Sequence, residues 1–219
     1  MTNSILTSKQ SLFLNFAQQT KEIYTNFYLS GGTCLSAFYL QHRYSEDLDF
    51  FNEREFIAQD VSPIIKRGKK SLGYVSIDFQ QSYNRNIYHL IFNKKDSLKV
   101  EFTYYPFHPV EEPKRINNLM IDSLIDIAAN KLFTIYQNPR GRDYYDLYFI
   151  MQKKNWSIEY LRRVAKIKFD FHIDYLQLGA QLMEVKKMKD DPILVKKKDY
   201  QTIEEFFLNI AKSIKIKVV

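Results

Sequence analysis

Apolar residues recur at near-helical spacing from about Thr7, at Leu12, Phe13, Phe16, Ile23 and Phe27, and predict an opening amphipathic helix. Residues 27–30 then form a short run entering Gly31-Gly32, which reads as a strand. Residues 33–42 read as a helix, with Thr33 placed to cap it. Alternation predicts the next strand at 47–51, and 53–72 reads as helix interrupted near Pro63 and Gly68. Three strand-like runs follow at 74–79, 87–92 and 98–105. The breaks between them, Ser82-Tyr83-Asn84-Arg85-Asn86 and Asn93-Lys94-Lys95-Asp96, are short and turn-rich, as hairpins require. Beyond Pro106 and Pro113 the character changes. From Ile121 the chain reads as helix almost to its end, broken at Asn138-Pro139-Arg140-Gly141, near Asn155 and at Asp190-Asp191-Pro192. The predicted fold class is mixed α/β, of the α+β kind: residues 1–115 form a lobe with a mixed sheet and helices, and residues 116–219 a helical lobe.

Composition narrows the setting. With 219 residues and 45% hydrophobic content, the chain can build a sizeable core or a two-lobed body. One cysteine, Cys34, rules out an intramolecular disulfide framework and a cysteine-built zinc cage. The N-terminus has no basic segment leading into an apolar run, and no apolar stretch approaches the roughly 20 residues of a membrane helix. A cytoplasmic protein with no membrane partner is therefore expected. Lys and Arg outnumber Asp and Glu by 32 to 25, leaving +7, which favours polyanionic partners, chiefly nucleic acid. Much of the excess sits late, in Lys153-Lys154, Arg162-Arg163, Lys166, Lys168, Lys186-Lys187, Lys189 and Lys196-Lys197-Lys198. Like-charged lysine runs are also ordinary solvated helix faces, so the charge alone does not decide.

Asp47-Leu48-Asp49-Phe50-Phe51 carries the most chemistry. On a strand, Asp47 and Asp49 project to one face while Leu48 and Phe50 enter the core. Adjacent carboxylates repel unless a cation lies between them, and hard oxygen ligands favour magnesium or manganese. Upstream, Gly31 and Gly32 close a strand–turn–helix element whose backbone N–H groups can approach a phosphate. A third carboxylate, Glu101, lies opposite the apolar face of Leu98, Val100 and Phe102, where it can complete a metal triad or take a proton from an acceptor hydroxyl. Asp78 is a weaker rival beside a turn, and a cross-strand pair with a lysine is the plain alternative for Glu101. Lys131 borders the apolar stripe of its helix, beside Ile127, Ala128, Thr134 and Ile135. It is expected to look toward the lobe interface, where a triphosphate is a natural partner, the alternative being a stem along the apolar stripe with the head group reaching solvent. Asp143 reads as a first-turn helix partner, and Arg142 and Asp146 as an i,i+4 pair. The histidines show no metal-ligand spacing and receive no role.

Four ordered motifs carry a resemblance. They are Leu29-Ser30-Gly31-Gly32-Thr33; Arg43-Tyr44-Ser45-Glu46-Asp47-Leu48-Asp49-Phe50; Lys131-Leu132; and Arg140-Gly141-Arg142-Asp143-Tyr144-Tyr145-Asp146-Leu147. Together, over residues 29–150, the chain resembles the AbiEii/AbiGii toxin-type nucleotidyltransferases of the polymerase-beta-like superfamily. The resemblance implies transfer of a nucleoside monophosphate from an NTP with release of pyrophosphate, by a toxin of a toxin–antitoxin or phage-defence system, with RNA, above all tRNA, as acceptor and a possible cognate antitoxin. A small-molecule or protein hydroxyl, or a non-catalytic binding module, are the alternatives. Mg2+ or Mn2+ would sit at Asp47, Asp49 and Glu101, with Lys131 and Asp146 completing the catalytic set. Ser30, Gly31, Gly32, Thr33, Arg43, Ser45 and Lys131 would contact the nucleotide, and the helical lobe would complete its site and meet the acceptor. Glu101 departs from the aspartate more common at that position but keeps the charge.

Overall fold

Thr7 and Gln10 start the first helix with a reciprocal cap. The Thr7 hydroxyl accepts from the Gln10 N–H at 3.2 Å, and the Gln10 side-chain oxygen accepts from the Thr7 N–H at 2.9 Å. The computed structural model describes residues 5–187, 192–196 and 199–216, and these fall into two compact units. The first comprises the chain up to Phe38, Ser45–His108 and Glu112–Ser123; the second comprises Tyr39–Tyr44, Pro109–Glu111 and the chain from Leu124. Lys189, Lys197, Lys198, Asp190 and Asp191 lie outside the described residues.

In the first unit α1 (Ser8–Gln19) stops at Thr20 and α2 (Lys21–Asn26) follows, so the single helix read from the apolar spacing is two. The Thr20 hydroxyl donates to the Phe16 carbonyl at 2.8 Å, a local bond that competes with helix continuation. β1 (Tyr28–Ser30) runs into α3 (Gly31–Cys34), which widens into π-helix over Leu35–Leu40. Thr33 therefore lies within the helix and does not cap it. β2 (Leu48–Asn52), α4 (Ala58–Arg67), α5 (Lys69–Leu72) and three long strands follow: β3 (Ser76–Ser82), β4 (Arg85–Asn93) and β5 (Asp96–Tyr104). A hairpin of β6 (Lys114–Ile116) and β7 (Leu119–Ile121), absent from the sequence expectations, completes a seven-stranded mixed sheet in the order β3-β4-β5-β2-β1-β7-β6. Strands of three residues are too short to display alternation, and β6 is exposed along its length.

β2 is central, antiparallel to β1 and parallel to β5. Its inward residues Leu48 and Phe50 are fully buried with Leu29, Val100 and Phe102, and the Phe50 and Phe102 rings stack at 5.2 Å. That apolar layer fixes the register, because a one-residue slip would turn Asp49 into the core.

The second unit consists mainly of α6 (Leu124–Gln137), α7 (Gly141–Lys154), α8 (Ile158–Phe169), α9 (Tyr175–Met183) and α10 (Tyr200–Ile216). α6 packs against α7, α8 and α9, which accounts for its apolar character on most sides. Asn155 and Asp170 end α7 and α8 in left-handed backbone, a conformation short polar side chains tolerate. The break at Asp170 was not read from sequence, since neither glycine nor proline marks it. Lys168 is buried against Asp126 at 2.8 Å, and the same carboxylate accepts the N–H groups of Val110 and Glu111. Among the described residues no helix is long and apolar enough to cross a membrane.

Candidate active site

The register of β2 and β5 places Asp49 directly beside Glu101 on the face opposite Leu48, Phe50, Val100 and Phe102. Asp47 lies one residue before β2, and its loop is tied down from two sides. The Thr33 hydroxyl donates to the Asp47 carbonyl, and the buried Gln10 amide donates to the carbonyls of Ser45 at 2.7 Å and Glu46 at 3.2 Å. Glu101 accepts from the Thr103 hydroxyl at 3.1 Å and lies 3.4 Å from Arg85. Lys99, two residues before Glu101 on β5, sends its ammonium to Asp47 at 2.9 Å and stands 3.4 Å from Glu101. Burial pulls the Lys99 pKa down. The Asp47 hydrogen bond and the charges of Asp47, Glu101 and Asp49 outweigh it and leave the ammonium above its ordinary value. Asp78 sits on β3 in register with His89, with β4 and β5 between it and β2, and takes no part.

Gly31 joins this carboxylate face to the turn after β1. Its φ is +71°, and a Cβ there would lie 2.1 Å from Asp49 Oδ2, so only glycine admits both the backbone and the carboxylate. The Ser30 hydroxyl donates to Asp122 at 2.5 Å, anchoring the end of β1. Cys34 is fully buried; burial first, then the charges of Asp122 and Asp49, push its thiol up, so it is no nucleophile. Gly31→Ala should leave the sheet folded, at a cost of about 1–2 kcal/mol for left-handed backbone. On the sequence expectation that Asp49 is a metal ligand, it should also lower transfer on the order of 100-fold by displacing that carboxylate. Comparing the thermal midpoint with the transfer rate of the variant checks this.

Arg43, Lys131 and Asp146 come together in the helical unit. Asp146, fully buried on α7, accepts from Arg43 at 2.6 and 2.8 Å, from His42 at 2.7 Å and from Lys131 at 2.7 Å. Lys131 also reaches Asp143 at 2.7 Å, and Arg140 closes on Asp143 at 2.8 Å. The partner that Lys131 demands is thus supplied by two aspartates of the next helix, and the cations on Asp146 are Arg43 and Lys131 instead of Arg142. Burial works to raise the Asp146 pKa, but Lys131, Arg43 and His42 hold it well below the ordinary carboxylate range. His42 is lowered, chiefly by burial, and stays neutral. An ionised carboxylate only accepts, so its Nε2 carries the proton toward Asp146. His42 was missed at the sequence level because a search for metal-ligand spacing does not find a histidine whose partner is 104 residues away.

Among the described residues, no group of three or more His, Cys, Asp or Glu side chains is already gathered as a metal cage. The Lys99 ammonium lies between Asp47 and Glu101.

Comparison with known proteins follows the same lines. Residues 19–213 match the family model described as nucleotidyl transferase AbiEii toxin, Type IV TA system. Protein aq_aa25 of Aquifex aeolicus (strain VF5), described as uncharacterized, is 32% identical over 190 residues, covering 84% of this chain and 86% of that one. A putative nucleotidyltransferase from H. pylori shares the fold with a TM-score of 0.62 at 22% identity, over 97% of each chain. JHP933 from Helicobacter pylori does so with a TM-score of 0.61 at 20% identity, over 99% of this chain and 94% of that one. With the family model spanning nearly the whole chain and both units, this protein belongs to the AbiEii family of nucleotidyltransferase toxins.

Proposed function

We propose that this nucleotidyltransferase moves a nucleoside monophosphate from an NTP to a hydroxyl of RNA, with tRNA the first acceptor to test, and that it uses a divalent cation. One observation carries this reading: Asp49 and Glu101 stand side by side in register, and the Asp49 carboxylate presses on the Gly31 turn in the space a Cβ would fill. The donor set suits Mg2+ or Mn2+, because Asp47, Asp49 and Glu101 offer only hard oxygens and two of them already share a cation in Lys99. These three residues would hold the ion, which when bound supplies charge neutralisation at the triphosphate.

The chain's own groups do the positioning. Gly31 and Gly32 offer backbone N–H groups to the β- and γ-phosphates. Ser30 and Thr33 act by holding the turn in place, and Gln10 acts through the Ser45 and Glu46 carbonyls. Asp146 and Lys131 serve as positioning residues that fix Arg43, a few residues ahead of Asp47 in the chain. In the transfer the acceptor oxygen bonds to the α-phosphorus, the bond to the bridging oxygen breaks, and pyrophosphate leaves with the electron pair. The hydroxyl proton passes to a carboxylate of the sheet face. Family membership implies a cognate antitoxin as a further partner.

Support for an RNA acceptor comes from α8. Tyr160, Arg163 and Ile167 share one exposed helical stripe, with Lys166 beside it. Trp156, just ahead of the helix, lies 5.7 Å from the Tyr160 ring, and the Lys154 ammonium lies 5.8 Å from the Trp156 ring. Aromatic faces interleaved with cations suit stacked bases and phosphates. Lys168 and Arg162 do not contribute, being held by Asp126 and by Tyr175 with Glu159. Each labelled NTP, incubated with magnesium and total RNA, should label RNA from at least one nucleotide. RNA affinity should fall steeply with salt, and reversing Lys154, Arg163 and Lys166 to glutamate should cut RNA labelling on the order of tenfold or more, with NTP binding little changed. Unchanged RNA labelling in that variant would turn the assignment to a small-molecule or protein hydroxyl.

A further inference from the structure

We propose that Lys99 is a resident counter-cation of the carboxylate face, holding Asp47 and Glu101 together until a divalent ion displaces it, and so setting the metal concentration at which the site fills. The proposal rests on the reading of Asp47, Asp49 and Glu101 as metal ligands.

The placement follows from the register. Leu48 pairs with Val100, so Lys99 stands level with Asp47, and alternation along β5 puts Lys99 and Glu101 on the same face. The ammonium lies 2.9 Å from Asp47 Oδ2 and 3.4 Å from Glu101 Oε2, on lone pairs that an oxygen-seeking cation would need. Three carboxylates converging on one face repel one another, and a positive charge among them removes that cost. A lysine can also give way. Its four-carbon stem is flexible, and the Lys99 side chain is 28% exposed, so its head group can turn to water when a doubly charged ion arrives. Arg85, the other cation near Glu101, stands at 3.4 Å from the opposite carboxylate oxygen and does not reach between the carboxylates.

The test measures Mn2+ binding to the full chain without NTP, following free Mn2+ by electron paramagnetic resonance, together with the thermal midpoint with and without Mn2+. Lys99→Met should bind Mn2+ about tenfold more tightly or better, as removal of a unit charge beside the ligands demands. Its metal-free midpoint should fall, and its gain on saturation should exceed that of the wild type. Lys99→Arg, which keeps the charge, should stay near the wild-type affinity. Should Lys99→Met not fold, Lys99→Gln carries the same comparison. Equal or weaker Mn2+ binding in the neutral variants, while Asp49→Asn still abolishes binding, would overturn the role of Lys99 and leave the metal site standing. No Mn2+ binding in the wild type or in Lys99→Met would overturn both.

Discussion

Asp49→Asn should lower nucleotidyl transfer on the order of a thousandfold, about 4 kcal/mol of transition-state stabilisation, while the protein stays folded. The amide is close to isosteric, so it keeps the contact with Gly31 that its carboxylate makes. It loses the negative charge, and with it one hard oxygen donor beside Glu101. Glu101→Gln should fall in the same direction, because its position is equally fixed by register. Steady-state transfer at saturating NTP, read beside a circular dichroism melt, separates lost chemistry from lost fold. A loss of activity that merely tracked a loss of stability would argue against a chemical role for Asp49.

Asp146→Ala should be the most destabilising single change in the helical unit, at about 3–5 kcal/mol, because it removes the buried carboxylate that Arg43 grips with two hydrogen bonds and that Lys131 shares with Asp143. Arg43 and Lys131 both lean on this one carboxylate, and the Lys131 side chain is only 9% exposed. For a chain of this size the thermal midpoint should drop by roughly 10 °C. Arg140→Ala is the contrasting case. Its side chain is 47% exposed, and Asp143 keeps Lys131 when Arg140 is gone, so the loss should be below about 1 kcal/mol.

The same network gives the unit an acid limb. His42 and Asp146 are both lowered on folding, so each contributes stability that is present above its unfolded pKa and is lost as pH falls through the folded one. The His42 share begins to go below 6.5 and the Asp146 share below 3.8. The midpoint of the wild type should therefore fall as the medium is acidified, and Asp146→Ala should lose the Asp146 share of the lower part of that fall, keeping the share of Asp143, which Lys131 and Arg140 hold low against burial.

The parts of the site legible in sequence were those encoded locally. Alternation of Leu48 and Phe50 with Asp49 oriented β2, and alternation of Leu98, Val100 and Phe102 oriented β5, so that Asp49 and Glu101 meet in register. Gly31 announced a turn, although nothing in a one-dimensional pattern says that the space of its missing Cβ belongs to Asp49. What stayed hidden depends on partners distant in the chain. Lys99 looks like any strand lysine until β2 brings Asp47 beside it, and His42 and Arg43 acquire their roles only from Asp146 on α7. Lys131 was recognised as a charge that needs a partner, but the spacing could not say that the partners are Asp143 and Asp146. β6 and β7 escaped for another reason: three residues carry no period, and their pairing is decided by β1.

The measurement that bears most directly on the central claim follows two labels at once, one on the α-phosphate of the NTP and one on the γ-phosphate. With magnesium and RNA present, the α-label should pass to the acceptor and the γ-label should leave as pyrophosphate in equal amount, and Asp49→Asn should lower both on the order of a thousandfold. Transfer of the γ-label to the acceptor, or α-label transfer undiminished in Asp49→Asn, would contradict the assignment of nucleotidyl transfer to the carboxylate face of Asp47, Asp49 and Glu101.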